Sequence, residues 1–381
     1  MTDISIIHAN AVTPTEVIPD ALICLANGQI EKIEGFNGQA LEGKIIDAFG
    51  LVVSPGWIDI QINGGFGLDF TDNPMGIWEV ARQLSKYGTT SILPTIITSP
   101  LETVRVAMNV LKQGPPRGWT GAQPLGLHVE GPFLNPQKKG AHNLQYLQMP
   151  AVSKVEGWSR ENGIWLVTLA PELDGAAELI ETLIARKVMV SVGHSMANYE
   201  QAMRAFEQGV SCVTHLYNAM PSLLHRDPGL PGAFLTQPNV VAGLIADGIH
   251  CHPAMLQLTW QSKGADGIAL VTDAMGAMGM PPGKYLFGDF EINVDQVSAR
   301  LTDGTLAGSI LTADLALQNM LKWCNLRVEA VLPSLTSTPA RLLNIPNKGK
   351  LTPGADADLV LLTPSGQVVK TLIGGQVVFS R

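Results

Sequence analysis

Cationic side chains are scarce in this sequence: 25 Lys and Arg stand against 33 Asp and Glu, a net charge of −8. They are scattered, which excludes the basic stripe of a nucleic-acid-binding surface. An anionic ligand would need a local cationic pocket, because the overall field does not favour it. Cysteine is sparse too: Cys24, Cys212, Cys251 and Cys324, with no Cys-x-x-Cys pair. In so long a chain they predict reduced thiols in a cytoplasmic protein, not a disulfide framework. No apolar run approaches the roughly 20 residues that span a bilayer. The opening MTDISIIHAN lacks the basic segment and apolar core of a signal peptide. Charged residues make up only 15% of the 381 and apolar residues 46%. That balance argues against disorder and predicts a core large enough for one large domain and a smaller one.

Residues 1–53 alternate short strands and turns: ISIIHAN, DALICLA, QIEKIEG and KIIDAFG, separated by Gly, Asn or Pro. Residues 347–381 read the same way, through ADLVLLTP, QVVKTLIGG and QVVFSR. Both ends therefore predict one small β domain that the chain leaves and re-enters. Between them, residues 54–346 alternate apolar β-like runs with segments of helical period. The runs are WIDIQIN (57–63), TTSILPT (89–95), LGLHVE (125–130), IWLVTLA (164–170), VMVSVGH (188–194), SCVTHLY (211–217), VVAGLIAD (240–247) and GIALVTDA (267–274). Near-continuous apolar strands alternating with helices mean parallel α/β architecture. Eight units predict a (β/α)8 TIM barrel. A doubly wound open sheet is the competing arrangement. It expects a GxGxxG turn after the first strand, and Gly64, Gly65 and Gly67 do not make one. Residues 284–306 read as β-hairpins inserted after the eighth strand, followed by a helix from about Leu311 to Trp323.

Glu130, His194, His215 and Asp273 each close one of these runs. In a β/α barrel the C-terminal strand ends carry the chemistry. One carboxylate and two imidazoles are a ligand set for a Zn-like metal, and three protein ligands leave the fourth position for water. A lone His after an apolar run is as readily a hydrogen-bonded core residue; the shared position favours ligation. Asp273 suits a general base, and equally a turn before Ala-Met-Gly.

Longer motifs carry a resemblance. SPGWIDIQINGG (54–65) resembles the opening of an amidohydrolase-superfamily barrel, and KLTPGADADLV (350–360) its return to a β-sandwich. LHVEGPFLNPQKKGAHN (127–143), VSVGHS (190–195), THLYNAMPSLLHRDPG (214–229), IADGIH (245–250) and VTDA (271–274) are similar to the N-acetylglucosamine-6-phosphate deacetylase family. The motifs fall in the same order across nearly the whole chain.

The resemblance implies hydrolysis of the acetamide of N-acetyl-D-glucosamine 6-phosphate, in amino-sugar catabolism. It implies that Glu130, His194 and His215 bind a divalent metal, Zn2+ first, with Fe2+, Co2+ or Mn2+ able to use the same ligands. Asp273 becomes the acid/base. Ala141 and His142 match substrate-contacting positions, His142 as the group that stabilises the oxyanion. Asn218 and Ala219 fall where the family holds the sugar phosphate. Arg226 matches an Arg that reaches the phosphate across a homodimer interface, a task its planar fork suits. His250 matches a sugar contact, and Leu306, Ala307 and Gly308 a substrate-lining loop.

One departure concerns the wider superfamily, where many members place His-x-His at the first strand end for a second metal. Here the positions are Gln61 and Asn63. Neutral amides are poor zinc ligands and can hydrogen-bond a water or substrate instead, so one metal per subunit is expected. His128 shares a strand face with Glu130 and suits support of the site. His8, His225 and His252 read as structural or exposed. Lys138 and Lys139 read as a solvated loop or as help for an anion. The sequence does not separate the glucosamine from the galactosamine epimer. A cyclic-amide hydrolase lacks support from the phosphate-like loop, and a non-catalytic scaffold would have shed ligands that are all present.

Overall fold

The computed structural model describes residues 2–287 and 290–381. Eight parallel strands build a barrel: Trp57–Ile62, Thr89–Ile97, Leu127–Glu130, Ile164–Leu169, Met189–Val192, Cys212–Val213, Val241–Leu244 and Ile268–Leu270. Each pairs with its neighbour in sequence. Between the last strand and the first, three backbone bonds close the seam. Asp273 N–H donates to Gln61 O at 2.8 Å, and Asn63 and Gly64 N–H donate to Ala274 O at 2.7 and 3.0 Å. Every residue of Trp57–Ile62 is buried. Strands covered on both faces read as near-continuous apolar runs, which is why these eight stand out in the sequence.

Helices Ile77–Leu84, Leu101–Gln113, Ala176–Ala185, Tyr199–Glu207, Gly229–Thr236, Pro253–Lys263 and Ala313–Cys324 follow strands one, two and four to eight. Tyr199–Glu207 begins at a capping box: Asn198 accepts the Gln201 N–H, and the Gln201 side chain accepts the Asn198 N–H. Its buried face is Ala202, Ala205 and Phe206. Losing the Asn198 cap would cost about 1 kcal/mol. Ala313–Cys324 ends at Asn325 in the left-handed conformation, a stop that Asn tolerates better than most residues. The third strand is followed by short 3-10 turns at Pro136–Lys138, Leu144–Tyr146 and Val152–Val155 instead of an α-helix.

The chain ends form the small β-sandwich. Strands Ile4–Val12, Val17–Ala26, Gln29–Gly35, Lys44–Asp47 and Val52–Pro55 share one hydrogen-bonded sheet with Leu359–Leu362, Val368–Ile373 and Gln376–Ser380. Leu359–Leu362 pairs antiparallel with Val52–Pro55, joining the returning chain to the departing one. Ile6, Ile23, Leu25, Leu361 and Leu372 belong to a core of its own. The insertion forms three antiparallel strands, Gly283–Phe287, Phe290–Val294 and Ala299–Leu301. Phe290, Ile292 and Leu301 face the cavity at the barrel mouth. Among the described residues, no helix is long and apolar enough to cross a membrane.

Candidate active site

Glu130 is the last residue of the third strand. His194, His215 and Asp273 lie just beyond the fifth, sixth and eighth strands, at φ of 47°, 30° and 48°. Non-glycine residues in this region cost on the order of 1–3 kcal/mol each and cluster at functional sites. Here the backbone leaves the extended conformation at the three places where polar side chains converge.

Glu130 Oε1 lies 3.1 Å from His194 Nε2 and 2.9 Å from His215 Nε2, and the two Nε2 atoms are 2.9 Å apart. All three residues are buried. His194 Nδ1 is 2.7 Å from Lys138 O. A carbonyl can only accept, so Nδ1 carries the proton and Nε2 of the neutral ring presents a lone pair. Glu130 Oε1 presents lone pairs as well. One proton on His215 Nε2 cannot serve all three contacts, so lone pairs face each other unless a cation sits among them. Tetrahedral ligands at zinc distances stand about 3.3 Å apart, close to this spacing. The donor set therefore fits a divalent metal, and Glu130, His194 and His215 are the described cluster able to hold one. His194 has the second-nitrogen anchor usual for a ligating imidazole. His215 Nδ1 has no such partner among the described residues.

Gln61 and Asn63 touch the carboxylates directly. Gln61 Nε2 donates to Glu130 Oε2 at 3.2 Å, leaving Oε1 to the imidazoles. Asn63 Nδ2 donates to Asp273 Oδ1 at 2.8 Å, while Asn63 Oδ1 is buried without a partner. Burial holds the Glu130 carboxyl up less than the two imidazoles hold it down, and it stays well below the ordinary range. Burial and the nearby Glu130 charge push Asp273 up to about 6. A carboxyl poised there can take and return a proton near neutral pH.

His142 projects from the long loop after the third strand, only 5% exposed. The Thr98 N–H donates to His142 Nδ1 at 3.3 Å, and Thr98 Oγ1 is 2.8 Å from the same nitrogen. Nδ1 is therefore the acceptor, and the ring proton is on Nε2. That Nε2 lies 4.0 Å from Glu130 Oε1, so the N–H is presented to the ligand cluster. Burial and the His194 ring beside it push the His142 pKa down to about 3, keeping the imidazole a neutral donor.

These groups share one cavity of about 620 Å³, which Ala141, Asn218, Ala219, His250, Leu306, Ala307 and Gly308 also line. Asn218 spends its side chain on its own turn, donating to Leu216 O at 3.1 Å and His215 O at 3.3 Å. Its own N–H goes to His215 O. The Ala219 N–H donates to no described residue. Gly308 sits at φ 86°, and a Cβ there would lie 3.1 Å from Asp273 O. Only glycine lets this segment lie against the Asp273 backbone. Arg226 is exposed and does not line its own chain's cavity, where Lys138 is the only Lys or Arg among the described residues.

His128 bonds Thr168 Oγ1 at 2.7 Å and Thr95 Oγ1 at 3.3 Å, below the ligands rather than on them. His252 caps the helix Pro253–Lys263. His8 pairs with Asp47 at 3.0 Å, and His225 is exposed. Sequence reasoning missed Thr98, which sets the His142 tautomer, and Asp247, which holds His250. The short spacing within IADGIH was the available signal for Asp247; Thr98 left none.

The sequence model of the Amidohydrolase family matches residues 52–378. The chain is 38% identical over 364 residues to N-acetylglucosamine-6-phosphate deacetylase of Danio rerio, covering 91% of this chain and 89% of that one. The crystal structure of the Pasteurella multocida N-acetylglucosamine-6-phosphate deacetylase is 29% identical with a TM-score of 0.92, covering 99% of each chain. A mutant of the Mycobacterium smegmatis enzyme in complex with N-acetyl-D-glucosamine-6-phosphate is 27% identical with a TM-score of 0.92, covering 100% of each chain.

Proposed function

The chain belongs to the amidohydrolase family, and from that premise we propose that it hydrolyses N-acetyl-D-glucosamine 6-phosphate to D-glucosamine 6-phosphate and acetate. The observation that carries the reading is the convergence, in one cavity, of a metal-ligand set, a carboxyl poised near 6 and a fixed neutral N–H donor. The substrate comes from the deacetylases that the chain resembles over nearly its whole length.

Glu130, His194 and His215 would hold one metal per chain, zinc by the chemistry of the donors. When bound, the metal polarises the acetyl carbonyl and lowers the pKa of the attacking water. Asp273 takes the proton from that water and later delivers it to the leaving amine. His142 Nε2–H donates to the carbonyl oxygen as negative charge builds on it. The C–N bond breaks, and the amine leaves as the free base. The second proton of the water, left on the new carboxyl, is released so that the acid departs as acetate.

Substrate placement follows the cavity wall. The free Ala219 N–H and Arg226 from a second copy of the chain take the phosphate. His250 meets the sugar, and residues 306–308 cover it. Remote binding of the phosphate then orients the acetamide against the ligand cluster. In this reading the units 1–53 with 347–381 and 54–346 divide the labour, with all chemistry in the second. The enzyme works as a cytoplasmic homodimer.

Acetate release from N-acetylglucosamine 6-phosphate tests the reading, with the unphosphorylated sugar and N-acetylgalactosamine 6-phosphate as controls. Turnover of the first and far slower turnover of the unphosphorylated sugar are expected. Equal rates with and without phosphate would overturn it.

A further inference from the structure

We infer that Asp247 is a positioning residue that presents His250 Nε2 to the cavity as the acceptor for a ring hydroxyl of the sugar phosphate. The inference rests on the reading above that a hexosamine 6-phosphate fills the cavity.

Asp247 and His250 follow the seventh strand, and both side chains are under a tenth exposed. Asp247 Oδ1 accepts the N–H groups of Ile249 and His250, each at 2.8 Å. Oδ2 lies 2.6 Å from His250 Nδ1. Gly248, at φ 77°, makes this fold-back possible; a Cβ there would sit 2.7 Å from the Trp323 ring. Asp247 itself does not line the cavity, and His250 does. One carboxylate thus fixes both the loop and the ring.

The proton count decides what the ring offers. An ionised carboxylate only accepts, so Nδ1 donates to Asp247. Burial opposes ionisation of Asp247, yet the His250 bond and the two backbone N–H groups hold its carboxyl below the ordinary range. In the neutral ring Nε2 is then a lone-pair acceptor. It bonds no described residue, and His250 lines the cavity that a sugar would fill. A sugar hydroxyl is a donor that suits it. A site built to hydrogen-bond a hydroxyl discriminates strongly against the analogue lacking it, because its own polar group is left unpaired.

The test is steady-state acetate release by wild type, Asp247→Asn, Asp247→Ala and His250→Ala, on N-acetylglucosamine 6-phosphate and on its 3-deoxy and 4-deoxy analogues. Wild type should lose roughly tenfold to a hundredfold in kcat/KM on one deoxy analogue. Asp247→Ala and Asp247→Asn should lose a similar factor on the parent, mainly through KM, and almost nothing more on that same analogue. His250→Ala should match them. A purely structural role would lower all three substrates by one common factor, and that result overturns the inference, as does an unchanged parent KM in both Asp247 variants. A second readout is the His250 15N spectrum of the unliganded protein. The Nδ1–H form is expected in wild type, with loss of that signature in Asp247→Asn; the Nε2–H form in wild type overturns the pairing. Wild type that shows the Nδ1–H form but releases no acetate from the parent sugar would sink the proposed function and leave the Asp247–His250 pairing standing.

Discussion

Asn63 Nδ2 donates to Asp273 Oδ1 at 2.8 Å, joining the first and last strands of the barrel at the point where proton transfer is proposed. In many superfamily members the first strand end carries metal-binding histidines. Here an amide from the same place holds the Asp273 carboxylate, the proposed acid/base, and Gln61 does likewise for Glu130. The two amides act as donors to the site's anions.

A donor to the charged form lowers a carboxyl's pKa. Asn63→Ala removes that donor, so Asp273 should rise above about 6. The acid limb of the kcat/KM profile should then move to higher pH, and the rate below pH 6 should fall further than the rate at pH 8. Full pH–rate profiles of both proteins check this. An acid limb that stays in place would show that Asn63 does not tune Asp273.

The same two amides lead to a metal count. With Gln61 and Asn63 committed to Glu130 and Asp273, a second ion has no described ligand set beside the first. Elemental analysis of protein purified without chelator should give about one metal per chain. Chelation should abolish acetate release, and zinc should restore it. The metal-free protein should also melt lower, because a ligand bound only by the folded state stabilises it, by roughly 2.7 kcal/mol at a hundredfold excess over Kd. Two metals per chain, or full activity after complete chelation, would sink the single-metal reading.

Much of this architecture was legible in the residue order. The eight strands announced themselves because burial on both faces makes the runs mostly apolar; in Trp57–Ile62 only Asp59 and Gln61, themselves buried, interrupt it. The shared β domain was legible because Leu359–Leu362 and its neighbours carry the same short-strand, tight-turn pattern as the first fifty residues. The third β/α unit was less so, since its 3-10 turns have no period to read. The positive φ at His194, His215 and Asp273 left no trace either, because it is imposed by the barrel rim and not by local propensity. Nor could residue order show that Thr98 fixes the His142 tautomer: the two are far apart in sequence, and a Thr one residue past a strand end is unremarked.

Below the site, Asp59 ties the barrel seam from beneath. Its Oδ1 accepts the Gln61 N–H at 3.1 Å, and its Oδ2 accepts Thr272 Oγ1–H at 2.5 Å. Burial pushes this carboxyl up to about 7, although those bonds pull the other way. In the unfolded chain it titrates near 3.9. Between those values the folded protein holds a proton that the unfolded chain has lost, so stability falls as pH rises from about 4 to about 7. Asp59→Asn removes that titration. Its urea midpoint should vary less between pH 5 and pH 8 than the wild-type midpoint does, whatever its absolute stability. An equal fall in both proteins would place the pH dependence elsewhere.

The phosphate reading calls on a guanidinium that one copy of the chain does not bring to its own cavity. Arg226 is exposed and absent from its own cavity, whose wall offers only Lys138 as a Lys or Arg among the described residues. If a second copy supplies the guanidinium, a working site needs Asp273 from one chain and Arg226 from the other. Arg226→Ala alone should raise KM roughly tenfold to a hundredfold, because a charge-assisted pair to the phosphate is lost. Asp273→Asn alone should abolish turnover. Co-expressed, the two variants form mixed dimers in which one site pairs an intact Asp273 with an intact Arg226. Random pairing then restores roughly a quarter of the wild-type kcat/KM. Were Arg226 to act within its own chain, each mixed dimer would carry two defective sites. Activity of the co-expressed pair no greater than the average of its parents would rule out the shared site.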